Sequence, residues 1–243
     1  MQPVSIVIPV WNNIQYLDDL FSTLKAKTKV PYELIIIDNG STDGSQAKCK
    51  AEMNQTDTFI QNLKNNGSTG AWNQGIRVAK HEIICLLNSD VKILMDGWLE
   101  TFQKPIVEQP DKVGIVECLE IIYDGTTRWA GAACPLINKR MTREIGLFDE
   151  KNLWGFCGDT DYWVRAYWNK WQFGWIKKTL IWHLCGGTHR RGILKPTQNK
   201  DWEEGNKIVR LKWNPKTLDK LWNEHRSKEE IWLKQQRAAG RLS

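Results

Sequence analysis

Apolar residues along this chain fall into short runs that end abruptly on small or polar side chains. Residues 4–9 (VSIVIP) are β-rich and predict a first buried strand, after which Ile14, Leu17, Leu20 and Leu24 recur at helical spacing. A second apolar run over 33–38 stops on Asp38 and gives way to Asn39, Gly40, Ser41, Thr42 and Asp43. Ser, Thr and Asp are favoured helix caps, so the next helix is predicted from about Asp43. A short strand over 58–61, a helix over 69–80 and a strand over 82–87 (EIICLL) continue the alternation. Strands that alternate with helices of this length predict βαβ units and a mainly parallel sheet.

From about Val113 the pattern is more mixed. GIVECLEII and TTRWAGAACPLI read as strands, 160–171 as a helix, and 173–176 and 179–182 as two short strands. Residues 185–191 (CGGTHRR) are glycine-rich and basic and read as a mobile loop, while Asn214 and Pro215 suit the start of a last helix. Leu218, Trp222, His225 and Trp232 form a stripe on that helix suited to docking against the body of the protein.

Length and composition narrow the class. A chain of 243 residues with 41% hydrophobic and 26% charged residues can bury one sizeable core and is neither disordered nor fibrous. No apolar run reaches the roughly 18–20 residues that cross a bilayer, and no basic and apolar signal region follows Met1, so a cytoplasmic location is expected, with a peripheral membrane association left open. Six scattered cysteines without a C-x-x-C pair predict reduced, buried thiols. The net charge of +6 is uneven, because residues 186–243 hold 14 basic against 7 acidic side chains. That excess suits an anionic partner or simply a solvated helix face.

Candidate chemistry gathers at strand ends, where open α/β sheets bind ligands. A buried carboxylate without a partner costs several kcal/mol, so Asp38 needs either the amides of its own turn or a ligand. Asn88, Ser89 and Asp90 close the strand CLL and can either form a turn or offer oxygens to Mg²⁺ or Mn²⁺. His183 ends LIWH and is a structural residue or a metal ligand. Asp159 and Asp161 open the helix GDTDYWVRA at a spacing that does not share a helix face, so one can cap the helix while the other faces a cleft. His189, Arg190 and Arg191 are either solvated or a clamp for a diphosphate.

Taken in order, VSIVIPVWNN, IIIDNGSTDGS, NNGSTGAWNQGI, LLNSD, GDTDYWVRA and IWH resemble the nucleotide-sugar glycosyltransferases of family 2, over about residues 4–183. The resemblance implies a single GT-A-like, Rossmann-type α/β domain with a mixed, mainly parallel sheet. Residues 1–112 would form its nucleotide-sugar half and 113–185 its acceptor half, with 186–243 a basic loop and helical extension. It implies an inverting transfer from a nucleoside diphosphate sugar, typically a UDP-sugar, to an acceptor hydroxyl. Donor contacts would come from Pro9, Val10, Trp11, Asp38, Asn66, Gly67, Asn73, Asn88 and Ser89. Asp90 and His183 would hold Mn²⁺ or Mg²⁺, Asp159 would act as general base, and Asp161 would orient the acceptor or cap the helix. Two family acids are missing, since Asn88 stands at the first position of D-x-D and Gly158 at the first position of the E-D pair. The expected acceptor is a surface glycan or lipid-linked saccharide. Hydroxylated bases of modified phage DNA are an alternative, and a non-catalytic carbohydrate- or nucleic-acid-binding module is another.

Overall fold

A computed structural model describes residues 1–122, 125–184, 195–214, 216, 218–220 and 223. β1 (Val4–Val10) and β2 (Tyr32–Asp38) pair in parallel with Val10 opposite Asp38, which brings their carboxyl ends level. Between them α1 (Ile14–Lys27) buries Leu17, Leu20, Phe21 and Leu24 and leaves its charged positions to solvent. α2 (Ser45–Ala51) and β3 (Thr58–Gln61) follow, and β3 extends the parallel sheet beyond β2. α3 (Gly67–Val78) returns the chain to β4 (Ile83–Leu86), which pairs in parallel with the other edge of β1.

Past β4 the sheet changes character. β5 (Val91–Ile93), α4 (Trp98–Phe102) and α5 (Lys104–Glu108) lead to β6 (Val113–Ile122). The strand predicted from TTRWAGAACPLI divides into β7 (Thr127–Trp129), a 3-10 turn (Gly131–Ala133) and β8 (Leu136–Asn138). α6 (Lys139–Ile145) and α7 (Gly158–Trp168) precede β9 (Gln172–His183). The nine strands among the described residues lie in the order β3-β2-β1-β4-β8-β6-β9-β5, with β7 paired to β6. β8 runs antiparallel to both β4 and β6, while β9 is parallel to β6, so the parallel and mixed halves meet at β8.

The alternation of side chains along the strands feeds two cores. Val4, Ile6 and Ile8 face α1 and α4, whereas Val7, Ile35 and Ile37 face α3 and α7. The two short strands predicted over 173–176 and 179–182 are one strand. Its pairing jumps from Cys118–Ile176 to Leu119–Thr179, so exposed Lys177 and Lys178 bulge without ending the strand.

α8 (Lys195–Lys212), which lacks a distinct apolar signal in the sequence, packs on α7 and buries Val209. Asn214 then accepts a hydrogen bond from the Lys216 amide (2.9 Å), the predicted cap geometry, and Leu218 is buried. Pro215, Trp222, His225 and Trp232 lie outside the described residues, as do His189, Arg190 and Arg191 and the loop that carries them. The five described cysteines are buried and unbridged. Among the described residues no helix is long and apolar enough to cross a membrane.

Candidate active site

Asp38 ends β2, Trp11 follows β1 and the segment Asn88–Ser89–Asp90 follows β4, so all of them lie at the carboxyl ends of the parallel trio β2-β1-β4. Polar side chains tie these ends together. Asn12 adopts a left-handed backbone (φ 50°) and accepts from the Thr42 amide (2.8 Å), while its own amide donates to the Ser41 hydroxyl (3.0 Å). Asn13 donates to the Ser89 hydroxyl (2.8 Å), joining the first strand end to the fourth. Asp43 accepts from the Ile14 amide (3.0 Å) and from the Ser45 amide (3.0 Å) and hydroxyl (2.6 Å). Burial pushes its pKa up, but these hydrogen bonds prevail and hold the carboxyl below its ordinary range.

Asp38 is fully buried and satisfied by its own turn and by the start of α2. Its carboxylate accepts from the Ser41 amide (3.2 and 3.3 Å) and from the Gln46 side chain (2.9 Å). Gln46 is a partner that strand-end reasoning did not identify, because it belongs to the first turn of α2 and its side chain reaches back to Asp38 only once that helix is placed. Pro9 and Val10 stand in β1 just ahead of Trp11, Pro9 partly exposed and Val10 buried.

At the end of β9, His183 meets two carboxylates. Its Nε2 lies 3.3 Å from Asp90 Oδ1 and 3.5 Å from the Asn88 amide, and its Nδ1 lies 2.7 Å from Glu120 Oε2. The other Glu120 oxygen accepts from Arg128 Nε (2.7 Å). Sheet register produces this row: Glu120 pairs with Arg128 across β6-β7 and with Ile181 across β6-β9, two residues from His183, while Val91, next to Asp90, pairs with His183. Desolvation lowers the His183 pKa, but its bonds to Asp90 and Glu120 outweigh that and push it up to about 10.

Glu120 is the principal residue that sequence reading missed. Its signal was an acid in the apolar run GIVECLEII, where a fully buried carboxylate demands a partner. Glu117, three residues earlier and therefore on the opposite face of the strand, accepts from the Trp163 indole.

Asp90 and His183 are the side chains of this row that could share a divalent cation, provided Nε2 gives up the proton that its raised pKa keeps there. A histidine ligand characteristically gives its other ring nitrogen to a carboxylate, which fixes the tautomer, and Glu120 is placed to do this while Nε2 faces Asp90. Among the described residues no group of three or more His, Cys, Asp or Glu side chains surrounds a cation position. The protein's share would therefore be one carboxylate and one imidazole, a donor set suited to ions that keep water and phosphate oxygens.

A second cluster forms where α3 meets the segment leading into α7. Asn73 is buried and accepts from the Phe148 amide (2.9 Å), while its amide donates to the Phe148 carbonyl (2.9 Å) and Glu150 (3.0 Å). Gly67 has φ +74°, and a Cβ there would come within 2.0 Å of the Trp154 carbonyl. The Thr69 hydroxyl lies within hydrogen-bond reach of the Leu153 (2.8 Å) and Trp154 (2.9 Å) carbonyls. Asn39 donates to the Gly67 carbonyl (3.1 Å), so the loop after Asp38 is continuous with this cluster.

Asp159 and Asp161 have separate duties. Asp161 is fully buried and binds Arg165 Nε (2.9 Å), Lys212 Nζ (2.9 Å) and Trp213 Nε1 (2.8 Å), locking α8 against α7. Asp159, in the first turn of α7, is only partly covered and accepts from the Thr160 amide (2.8 Å). Loss of hydration raises its pKa, only partly offset by hydrogen bonds to Thr160 and to its own backbone amide. Gly158, the missing family acid, has a local cause: a Cβ there would meet Thr69 Cγ2 at 2.2 Å. Asn66, expected as a donor contact, lines a groove along α3 together with Gly70, Arg77 and Trp154.

Comparison with known proteins places this geometry in a family. A 30%-identical stretch of 175 residues aligns with an undecaprenyl-phosphate 4-deoxy-4-formamido-L-arabinose transferase of Yersinia enterocolitica, covering 69% of this chain and 49% of that one. Glycosyltransferase GlyG of Streptococcus pneumoniae is 32% identical over 114 residues, 46% of this chain and 38% of its own. The chain thus spans about half or less of the length of these curated relatives. The fold is shared with a mannosyltransferase of Pyrobaculum calidifontis solved with GDP-Man and Mn²⁺ (TM-score 0.62, 15% identity, 80% of this chain and 61% of that one). It is shared too with residues 1–349 of Staphylococcus aureus TarS solved with UDP (TM-score 0.61, 16% identity, 79% and 63%). The model of glycosyl transferase family 2 matches residues 5–168, a span that holds Asp38, Asp90 and Asp159, and the chain belongs to that family, with a glycosyltransferase domain of GT-A type.

Proposed function

We propose that this domain is an inverting glycosyltransferase that moves a sugar from a UDP-sugar to a hydroxyl of a glycan or lipid-linked saccharide. The observation that carries this reading is the row Asp90–His183–Glu120 beside the carboxyl ends of β1, β2 and β4. The mannosyltransferase solved with GDP-Man and Mn²⁺ and the TarS fragment solved with UDP support a nucleotide donor, and the Yersinia relative supports a lipid-linked acceptor.

The nucleoside would lie along Pro9, Val10 and Trp11, with Asp38 turned to the base imide, which would take the place of the Gln46 amide. Asn88 and Ser89 would meet the ribose and diphosphate side. Mn²⁺ or Mg²⁺ held by Asp90 and His183 would supply positive charge to offset that developing on the diphosphate. Asp159 accepts the proton of the acceptor hydroxyl. The acceptor oxygen attacks the anomeric carbon as the bond to the diphosphate oxygen breaks, the nucleoside diphosphate departs with the electron pair, and the configuration inverts. The raised pKa of Asp159 makes it a stronger base than an ordinary carboxylate, and such a base contributes about 10²- to 10⁴-fold.

A panel of nucleotide sugars, scored by thermal shift with and without Mn²⁺, identifies the donor by mass-action stabilisation. With that donor, Asp159→Asn should slow transfer at least a hundredfold, on the scale of a lost general base, while leaving donor binding in place. Asp90→Ala should abolish the Mn²⁺-dependent part of donor binding by calorimetry. Full transfer by Asp159→Asn, or Mn²⁺-dependent binding unchanged in Asp90→Ala, refutes the assignment.

A further inference from the structure

A groove along α3 has neither Asp90 nor His183 in its lining and shares only Asn66 with the expected donor contacts. It has a volume of about 440 Å³ and is lined by Lys64, Asn66, Gly70, Arg77, Glu150 and Trp154 among others. That volume falls within the roughly 300–1,000 Å³ of small-molecule sites. One wall is the Trp154 ring, 39% exposed in a protein that buries most of its large apolar side chains. Its backbone is held against α3 by the Thr69 hydroxyl and by close packing over Gly67, so the ring is presented from a fixed base. The floor is Gly70, where a Cβ would enter the groove 3.3 Å from Asn66 Cβ and 3.8 Å from Glu150 Oε2. The far side is the Arg77–Glu150 pair (3.2 Å), with Glu150 also held by Asn73 (3.0 Å).

We infer that this groove is a saccharide subsite that seats part of the acceptor, with Trp154 as its stacking wall. The inference rests on the proposed function for the word acceptor, but not for the binding itself. An aromatic face offers an apolar surface to the C–H side of a sugar ring, while the Asn66 amide, the Arg77 guanidinium and the Glu150 carboxylate offer donors and acceptors to its hydroxyls. Lys64 and Arg77 set two cations against the one Glu150 carboxylate in the lining, so an anion is the competing ligand and pyrophosphate is the control that separates it from a saccharide. The groove also adjoins the reaction side of the molecule. Thr69, which holds the Trp154 backbone, packs against Gly158, the residue before Asp159.

The test uses the full chain labelled with ¹⁵N on its tryptophan indoles, the Trp154 signal being assigned by its loss in Trp154→Phe. Methyl glycosides of glucose, galactose, mannose, rhamnose and N-acetylglucosamine are titrated singly, with pyrophosphate as the anionic control. At least one glycoside should move the Trp154 indole signal saturably. Trp154→Ala should weaken its binding about tenfold or more, equivalent to about 1.4 kcal/mol, a typical stacking contribution. Gly70→Gln, which introduces a good helix former and fills the floor, should abolish binding without lowering the melting temperature. The inference is overturned if no glycoside moves the signal, if pyrophosphate alone does, or if both variants bind as the wild type does. A glycoside response without any nucleotide-sugar response in the thermal-shift panel would instead refute the proposed function and leave the subsite standing.

Discussion

Filling Gly158 tests why the first family acid is missing. A methyl there would lie 2.2 Å from Thr69 Cγ2, against the roughly 3.5–4.0 Å of a relaxed carbon contact. Thr69 cannot easily turn away, because it is 1% exposed and its hydroxyl is engaged with the Leu153 and Trp154 carbonyls. Overpacking of this kind costs about 1–3 kcal/mol, so Gly158→Ala should destabilise by that amount. Thr69→Ser removes the obstructing methyl and keeps the hydroxyl, at a cost of about 0.5–1.5 kcal/mol for the lost methyl. In the double variant the new methyl takes the vacated space. Its stability should return near the wild-type value, giving a coupling energy of about 1.5–4.5 kcal/mol, the sum of the two single losses. Urea denaturation of the four proteins reads this as shifts in midpoint at constant slope. A Gly158→Ala protein as stable as wild type, or a double variant no better than the sum of its parts, refutes the steric account. Gly158→Glu, which restores the family acid, should be at least as destabilising in the Thr69 background.

Asp161→Ala leaves Arg165, Lys212 and Trp213 without their shared acceptor and should cost about 3–5 kcal/mol, with faster amide exchange in the C-terminal turn of α8; a loss below about 1 kcal/mol would contradict the role given to it. Asp159 has a folded pKa above its unfolded one, so the stability it contributes is fully present below the unfolded pKa and is lost as pH rises through the folded value. Asp159→Asn should therefore raise the melting temperature at neutral pH and lose that advantage in acid, and an equal or lower melting temperature at pH 7 would count against it. Glu120→Ala should weaken Mn²⁺ binding about 10- to 100-fold by electron paramagnetic resonance, and Glu120→Gln less so, because its carbonyl still accepts from Nδ1–H; equal affinities in all three proteins would remove Glu120 from the support of His183.

Much of the first half was legible in the sequence. The runs that become β1, β2 and β4 are short and apolar and end on polar residues, so the gathering of those residues at the carboxyl ends followed from the βαβ alternation. Asp38 shows the limit of that reasoning: its need for a partner was evident, but Gln46 could be recognised only once α2 had been placed. In the second half, local pattern misjudged the strands. A bulge at Lys177 and Lys178 looks like a break when read along the chain, yet pairing with β6 continues on both sides of it.

The sequence by itself determined where carboxylates, amides and a histidine would interrupt apolar runs, because burial forces such residues to seek partners. Only the tertiary structure decided which partners they found. Glu120 reaches His183 across 63 positions through the parallel register of β6 and β9, and Thr69 fills the place of a side chain at Gly158 because α3 and α7 pack in contact. Register and helix packing are set by the whole core at once, so no local stretch of sequence encodes them.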